Sequence, residues 1–270
     1  MDWAWDPSLY EGSARHYAVG RMGYPAALAD AVRDALGLDG TGRLLDVGCG
    51  PGSLTLLLAP LVSSAVGVDA DPGMIAEARR SGAATIAWRQ LRAEELPADL
   101  GTFRLVTFAQ SFHWMDQPRV AREVRPMIEP GGAWVHVFAT THRGAEGHDP
   151  LPHPRPPWDR IDELVASYLG PARRAGQGVL LQPRSGEEDV MRATGYRGPQ
   201  RLEVVRGEVV ERSAEEVVSA VLSLSSSAPH LFGPRLPQFE HDLRELLRSA
   251  SPTGTFAERA RDVGVVIWRP

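Results

Sequence analysis

Apolar residues four apart mark the first element. Over residues 24–38, Leu28, Val32 and Leu36 share one face, Pro25 stands in the first turn and Gly37 closes the run, which predicts an amphipathic helix. The period then changes. Leu44-Leu45-Asp46-Val47 predicts a buried strand that runs into a glycine loop. Residues 53–61 predict a helix, and residues 65–69 (Ala-Val-Gly-Val-Asp) a second strand. Asp71 and Pro72 cap and open a helix through Met74, Ile75 and Ala78. Arg104–Ala109 predicts a further strand, and residues near 118–128 a helix. Gly131-Gly132 then turns the chain into a strand over Ala133–Ala139. Strands alternating with helices over residues 40–140 predict an α/β fold, a parallel sheet with helices on both faces.

The second half reads differently. His142–Pro157 carries five prolines and two glycines and predicts a loop. Trp158, Ile161, Leu164, Val165 and Tyr168 share a helical face. Ser185 and Glu188 have capping-box spacing ahead of another helix, with Gly195 as its stop. Residues 202–210 predict one strand. Ser213 and Glu216 repeat the capping-box spacing before Val217, Val218, Val221 and Leu222. Phe239, Leu243, Leu246 and Leu247 mark a last helix, and Val263–Trp268 a final strand. The chain is read as a single domain over 1–270. It comprises a helical lid over 1–40, a ligand-binding core over 41–142, and covering segments over 143–200 and 213–255 that lie on the sheet.

Composition narrows the chemistry. With 43% hydrophobic and 23% charged residues, the chain is expected to fold as a globular protein. All 29 basic residues are arginine, and the absence of lysine excludes a Schiff base and a P-loop lysine. A net charge of −5 without basic runs argues against nucleic acid as the main partner. The longest apolar stretch, Leu54–Val68, is broken by Pro60, Ser63 and Ser64, which argues against a membrane span. The acidic, aromatic Met1–Asp6 does not resemble a secretion signal, and the lone Cys49 fits a reducing cytoplasm. Cys49 itself reads as a small buried residue. Arg79-Arg80 and Arg173-Arg174 read as solvated faces. His148 and His153 lack the ligand partners of a metal site.

The informative segment is Leu44-Leu45-Asp46-Val47-Gly48-Cys49-Gly50-Pro51-Gly52. Glycines there let the backbone bend sharply and approach a ligand. A strand, glycine loop and helix suit NAD, FAD or another adenosyl ligand. Asp46 at the strand end would repel a pyrophosphate and favour a cation. The spacing is Gly-x-Gly-x-Gly, not the dinucleotide Gly-x-Gly-x-x-Gly. Asp69 ends the next strand, where a carboxylate can accept both ribose hydroxyls. An adenosyl ligand with a ribose and positive charge, such as S-adenosylmethionine, fits these groups.

In order along the chain, that segment is followed by Val-Gly-Val-Asp-Ala-Asp-Pro-Gly-Met, Ala-Glu-Glu-Leu-Pro, Phe-Arg-Leu-Val-Thr-Phe-Ala-Gln-Ser-Phe-His-Trp and Glu-Pro-Gly-Gly. The set resembles class I S-adenosylmethionine-dependent methyltransferases, most closely the small-molecule type 11 branch, over residues 10–142. The resemblance implies a Rossmann-like sheet of seven strands, mostly parallel, with Val263–Trp268 antiparallel and an added helical cover. It implies that Gly48 and Gly50 approach the methionine part of the cofactor, with Asp46 near its ammonium. Asp69 and the adjoining Ala70 would take the ribose, and Met74 would pack on the adenine. Ala93 and Glu94 would border the adenine edge, and the Gln110 backbone would line the sulfonium side. The family often has Asp where this chain has Arg92, a side chain with no acceptor for an adenine amino group.

By the same resemblance, Tyr17 and Arg21 lie on an N-terminal helix over the cofactor, with Arg21 toward the methionine carboxylate. His113, past the fourth strand, is the candidate general base. Tyr10, Tyr24, Trp114 and His142 are the candidate substrate contacts. Methyl transfer to a small molecule, releasing S-adenosylhomocysteine, leads the readings. A rearrangement or cyclisation steered by the same cofactor and a nicotinamide-dependent dehydrogenase are the alternatives.

Overall fold

A computed structural model describes residues 6–172, 174–175, 178–179 and 186–270. Met1–Trp5, Arg173 and Ser185 lie outside the described residues, and with them the readings of the N-terminal segment, the Arg173-Arg174 pair and the Ser185 cap.

Two helices lead the chain, α1 (Ala14–Gly20) and α2 (Ala26–Leu36). Gly37 ends α2 in the left-handed conformation, φ +59°, where glycine carries no Cβ penalty. The alternating half follows: β1 (Arg43–Val47), α3 (Ser53–Leu58), β2 (Ser64–Asp69), α4 (Pro72–Arg79) and β3 (Ile86–Gln90). Then come β4 (Phe103–Ala109), α5 (Gln117–Val124) and β5 (Ile128–Phe138). The Asp71 carboxylate accepts from Met74 N at 2.9 Å with Pro72 in the first turn, so the expected cap of α4 forms. The second half holds α6 (Trp158–Leu169), the two-residue strands β6 (Arg174–Ala175) and β7 (Gly178–Val179), α7 (Glu187–Ala193) and β8 (Arg197–Val204). It closes with β9 (Val209–Ser213), α8 (Ala214–Leu222), α9 (Pro229–Phe232), α10 (Leu236–Ala250), β10 (Thr255–Arg259) and β11 (Val263–Arg269).

The main sheet has seven strands in the order β3-β2-β1-β4-β5-β11-β8. β3 through β5 pair in parallel, and β11 runs antiparallel to both β5 and β8. This is the expected doubly wound, mostly parallel sheet with one reversed strand. Side chains alternate across it as the pleat requires. Leu44, Leu105, Val135, Val265 and Ile267 face one layer, with Leu28, Val32 and Leu58 from the helices. Leu45, Val47, Val106, Phe108 and Trp134 face the other, with Val120 and Val124 of α5. A third cluster joins α6, α8, α9 and α10 through Ile161, Val217, Phe232, Phe239 and Leu243.

Three readings change. Residues 202–210 are not one strand: β8 ends at Val204 in the main sheet, and β9 pairs with β10 in a separate two-stranded sheet. The break falls at Arg206-Gly207, where Gly207 takes φ +136°. Residues 197–200, placed with the cover, belong to β8. Gly131-Gly132 does not precede β5 but lies inside it, where pairing skips from Phe103↔Ile128 to Leu105↔Ala133 and the intervening residues bulge.

Candidate functional site

The carboxyl ends of β1, β2 and β4 meet above the sheet, the usual place for a ligand in an open α/β fold. There the chain bends through Gly48 (φ +69°), Gly50 (φ +55°) and Gly52 (φ +88°). A Cβ on Gly48 would stand 2.4 Å from the Ser111 Cβ, so the bend is locked against β4. A Cβ on Gly50 would meet nothing within 4 Å, because it would enter a cavity.

That cavity, partly open to solvent, spans about 870 Å³. Its wall includes Tyr10, Tyr17 and Tyr24 from the N-terminal segment, Gly48 and Gly50 from the bend, and Asp69, Ala70 and Met74 from β2 and α4. Leu91, Ala93 and Glu94 follow β3, and Gln110, Ser111 and Trp114 follow β4. Twelve of the sixteen expected site residues therefore share one cavity.

Hydrogen bonding decides what the bend can hold. The amides of Gly48 and Cys49 donate to the Val68 carbonyl (2.8 and 3.0 Å), and Gly52 N donates to the Cys49 carbonyl (3.0 Å). Gly50 N donates to the Asp69 carboxylate at 2.8 Å. The other Asp69 oxygen accepts from Asp71 N at 2.9 Å. Shielding from water raises the Asp69 carboxyl to about 6, against these two hydrogen bonds, which lower it. Burial also pushes up the phenols of Tyr10 and Tyr24 and the Cys49 thiol, so all three are neutral near pH 7. Glu94 holds the next turn by accepting from Asp116 N at 3.0 Å, and Arg92 Nε lies 3.7 Å from its other oxygen.

Four expected residues are absent from the cavity wall. Asp46 is fully buried beneath the bend, where its oxygens accept from the hydroxyls of Thr55 (2.6 Å) and Thr107 (2.7 Å). It braces β1 against α3 and β4, while Asp69 and Glu94 are on the cavity wall. Arg21 turns away, donating to Ser223 Oγ at 2.8 Å and the Ser223 carbonyl at 3.2 Å, with its guanidinium carbon 4.4 Å from the Tyr17 ring centroid. The His113 ring packs on Trp114, centroids 4.7 Å apart, and only Trp114 reaches the cavity. His142 stacks edge-on with Trp158 at 6.3 Å, and its carbonyl accepts from Arg212 at 2.8 Å. Leu9, Leu91 and Ser111 are cavity residues that sequence reasoning missed. Ser111, whose hydroxyl donates to the Val47 carbonyl at 2.7 Å, adjoins the expected Gln110.

The N-terminal roof is anchored from far along the chain. Ser13 Oγ donates to the Leu222 carbonyl at 2.9 Å, and Met22 N to the Thr141 carbonyl at 2.8 Å. Arg212 donates to the Gly20 carbonyl at 2.6 Å, the Glu216 carbonyl at 3.1 Å and the Glu258 carboxylate at 3.0 Å. Glu258 in turn accepts from Gly144 N at 2.8 Å and Trp158 Nε1 at 2.7 Å.

Residues 44–132 match a family model described as a methyltransferase domain. An uncharacterized methyltransferase of Mycobacterium tuberculosis (strain ATCC 25618 / H37Rv) is 37% identical over 136 residues, 50% of this chain and 54% of that protein. The malonyl-(acyl-carrier protein) O-methyltransferase of Enterobacter lignolyticus (strain SCF1) is 35% identical over 136 residues, 50% of this chain and 51% of that one. The chain thus spans about half the length of the curated relatives it matches. Among solved structures, a candidate type II methyltransferase from Anaeromyxobacter dehalogenans shares the fold, with a TM-score of 0.52 at 22% identity over 92% of this chain and 95% of that one. Motif order and strand order agree with the domain match, and over residues 44–132 the chain resembles class I S-adenosylmethionine-dependent methyltransferases.

Proposed function

We propose that this chain transfers a methyl group from S-adenosylmethionine to a small-molecule acceptor and releases S-adenosylhomocysteine. The observation that carries the reading is the bonding of the bend. The amides of Gly48, Cys49, Gly50 and Gly52 already donate within the protein, Pro51 has none, and the Asp69 carboxylate meets the cavity. A pyrophosphate needs free amide donors and is repelled by a carboxylate, which argues against the nicotinamide reading. A ribose beside a cationic sulfur needs acceptors and tolerates the negative charge.

The residues present fit that cofactor. Asp69 keeps lone pairs beyond its two hydrogen bonds, and these can take the ribose hydroxyls. Met74 and Leu91 supply apolar surface for the adenine, with Ala93 and Glu94 at its edge. The open side of Gly50 leaves room for the methionine part. When bound, the cofactor supplies an electrophilic methyl on a sulfonium: the acceptor's lone pair forms the new bond, and the sulfur keeps the electron pair of the broken one. The chain's own part is to bind, orient and exclude water. Tyr10, Tyr17, Tyr24 and Trp114 roof the cavity with aromatic surface. Tyr10 and Tyr24, held neutral, present no phenolate that would compete for the sulfonium methyl.

Calorimetric titration tests the binding half. S-adenosylhomocysteine should bind with one-to-one stoichiometry and reduced nicotinamide dinucleotide should not; the reverse result ends the reading. Incubation with methyl-labelled cofactor tests the transfer half. Label in a product supports transfer, and an altered but unlabelled product supports the rearrangement.

A further inference from the structure

A second cavity, of about 980 Å³, opens beside the first, and Gln110 lines both. Its wall is built at the same edge of the sheet, from Phe138–Thr140 at the end of β5, Arg206-Gly207 after β8 and Arg259–Asp262 ahead of β11. Phe138 is 41% exposed there, unusual for a residue at the end of a central strand. Gln110 itself holds φ +55°, with its amide donating to the Val137 carbonyl at 3.3 Å, so the wall between the cavities has a defined backbone.

Three arginines line this second space, and their bonding separates them. Arg206 ion-pairs with Glu208 and donates to the Gly23 carbonyl at 3.1 Å. Arg259 ion-pairs with Asp149 and donates to the Gly207 carbonyl at 2.6 Å. Asp262, the acidic member of the wall, accepts from Arg206 N at 2.6 Å. Arg261 differs. Its Nε donates to the Gly144 carbonyl at 2.8 Å, and its nearest carboxylate, the 92% exposed Glu146, lies 3.8 Å away, beyond hydrogen-bond range. Among the described residues, the terminal N–H groups of Arg261 carry no hydrogen bond. A planar guanidinium in that state, beside exposed aromatic surface, matches a carboxylate or phosphate with an apolar body.

We propose that the second cavity receives the methyl acceptor, and that the acceptor is an anionic small molecule. Its carboxylate or phosphate sits on Arg261, its apolar body lies along Phe138, and its reacting atom is next to Gln110. This inference rests on the methyl-transfer reading, which gives the two adjoining cavities their two ligands.

The test is calorimetric and needs no turnover. Octanoate, octyl phosphate and octanamide are titrated into the protein, with and without saturating S-adenosylhomocysteine. Octanoate or octyl phosphate should bind about tenfold or more tightly than octanamide, and which of the two is tighter names the anion. Arg261→Gln should remove that preference, Arg261→Lys should restore part of it, and both variants should keep the wild-type melting temperature and S-adenosylhomocysteine affinity. The proposal is overturned if the three probes bind alike, if none binds, or if Arg261→Gln leaves the octanoate and octyl phosphate affinities unchanged. Failure of S-adenosylhomocysteine to bind sinks the cofactor reading instead, and the titrations without it still report on Arg261.

Discussion

Arg212 and Glu258 form an ion pair 3.0 Å long, with only 4% and 3% of their side chains exposed. Each also holds backbone or side-chain groups from other elements, so both carboxylate oxygens and both terminal guanidinium nitrogens have partners in the interior. A pair of this kind is weak evidence for net stability, but loss of one member leaves a bare buried charge. Glu258→Ala or Arg212→Ala should each lower the unfolding free energy by about 3–5 kcal/mol, measured by chemical denaturation. A loss below about 1 kcal/mol would place the pair with ordinary surface bridges.

Asp69 should make cofactor affinity depend on pH. Its carboxyl is raised to about 6, above the ordinary carboxylate range, so the free protein holds a proton there that the unfolded chain has released. That contribution to stability is present at low pH and disappears as pH rises through about 6. Ribose hydroxyls would donate to the charged form, so binding should have the opposite slope. S-adenosylhomocysteine affinity should weaken as pH falls below about 6 and level off above 7. Asp69→Asn should lose about 1.5–3 kcal/mol of binding and the pH dependence with it. An unchanged pH profile in the variant would remove Asp69 from the ribose.

Gly48 and Gly50 should respond differently to the same substitution. Both take left-handed φ, but only at Gly48 does an added methyl strike protein, the Ser111 side chain at 2.4 Å. Gly48→Ala should therefore lower stability by roughly 2–4 kcal/mol. Gly50→Ala should lower it by about 1–2 kcal/mol, the strain of the left-handed backbone, yet weaken S-adenosylhomocysteine binding about tenfold or more by entering the cavity. Paired melting curves and titrations check this, and equal losses of affinity in two equally folded variants would contradict it.

His113 is off the cavity wall, so its loss should matter little. His113→Ala should keep S-adenosylhomocysteine affinity and turn over its acceptor within about threefold of the parent, less than a general base contributes. Trp114→Ala, which opens the wall, should weaken binding. A fall of about a hundredfold in kcat at unchanged affinity for the His113 variant would return it to the reacting centre.

The parts legible in the sequence are those set by near neighbours. The bend, the Asp71 cap of α4 and the Ser213–Glu216 capping box depend on residues within a few positions, and each forms as read. β3 escaped notice because an edge strand of five residues turns only Ile86 and Trp88 inward, too few to show a period. β10 is hidden for another reason: its three central residues are all buried and show no alternation, and its partner β9 is absorbed into a longer predicted strand. Side-chain direction was the least legible quantity. Asp46 and Thr107, or Arg21 and Ser223, are brought together only by the finished topology. A charged residue beside a ligand loop looks the same in sequence whether it faces the ligand or a distant hydroxyl.

The anchoring of the roof also sets an order of events during synthesis. A nascent chain presents the glycine bend and the first five strands to solvent well before residues 212–223 leave the ribosome. Yet Ser13 hangs on Leu222, and Arg21 on Ser223. The roof over the bend is therefore fully anchored only after residues 222–223 have been made, and a chain stopped short of Ala214 would keep the Met22–Thr141 bond but lose the bonds of Ser13 to Leu222 and of Arg21 to Ser223.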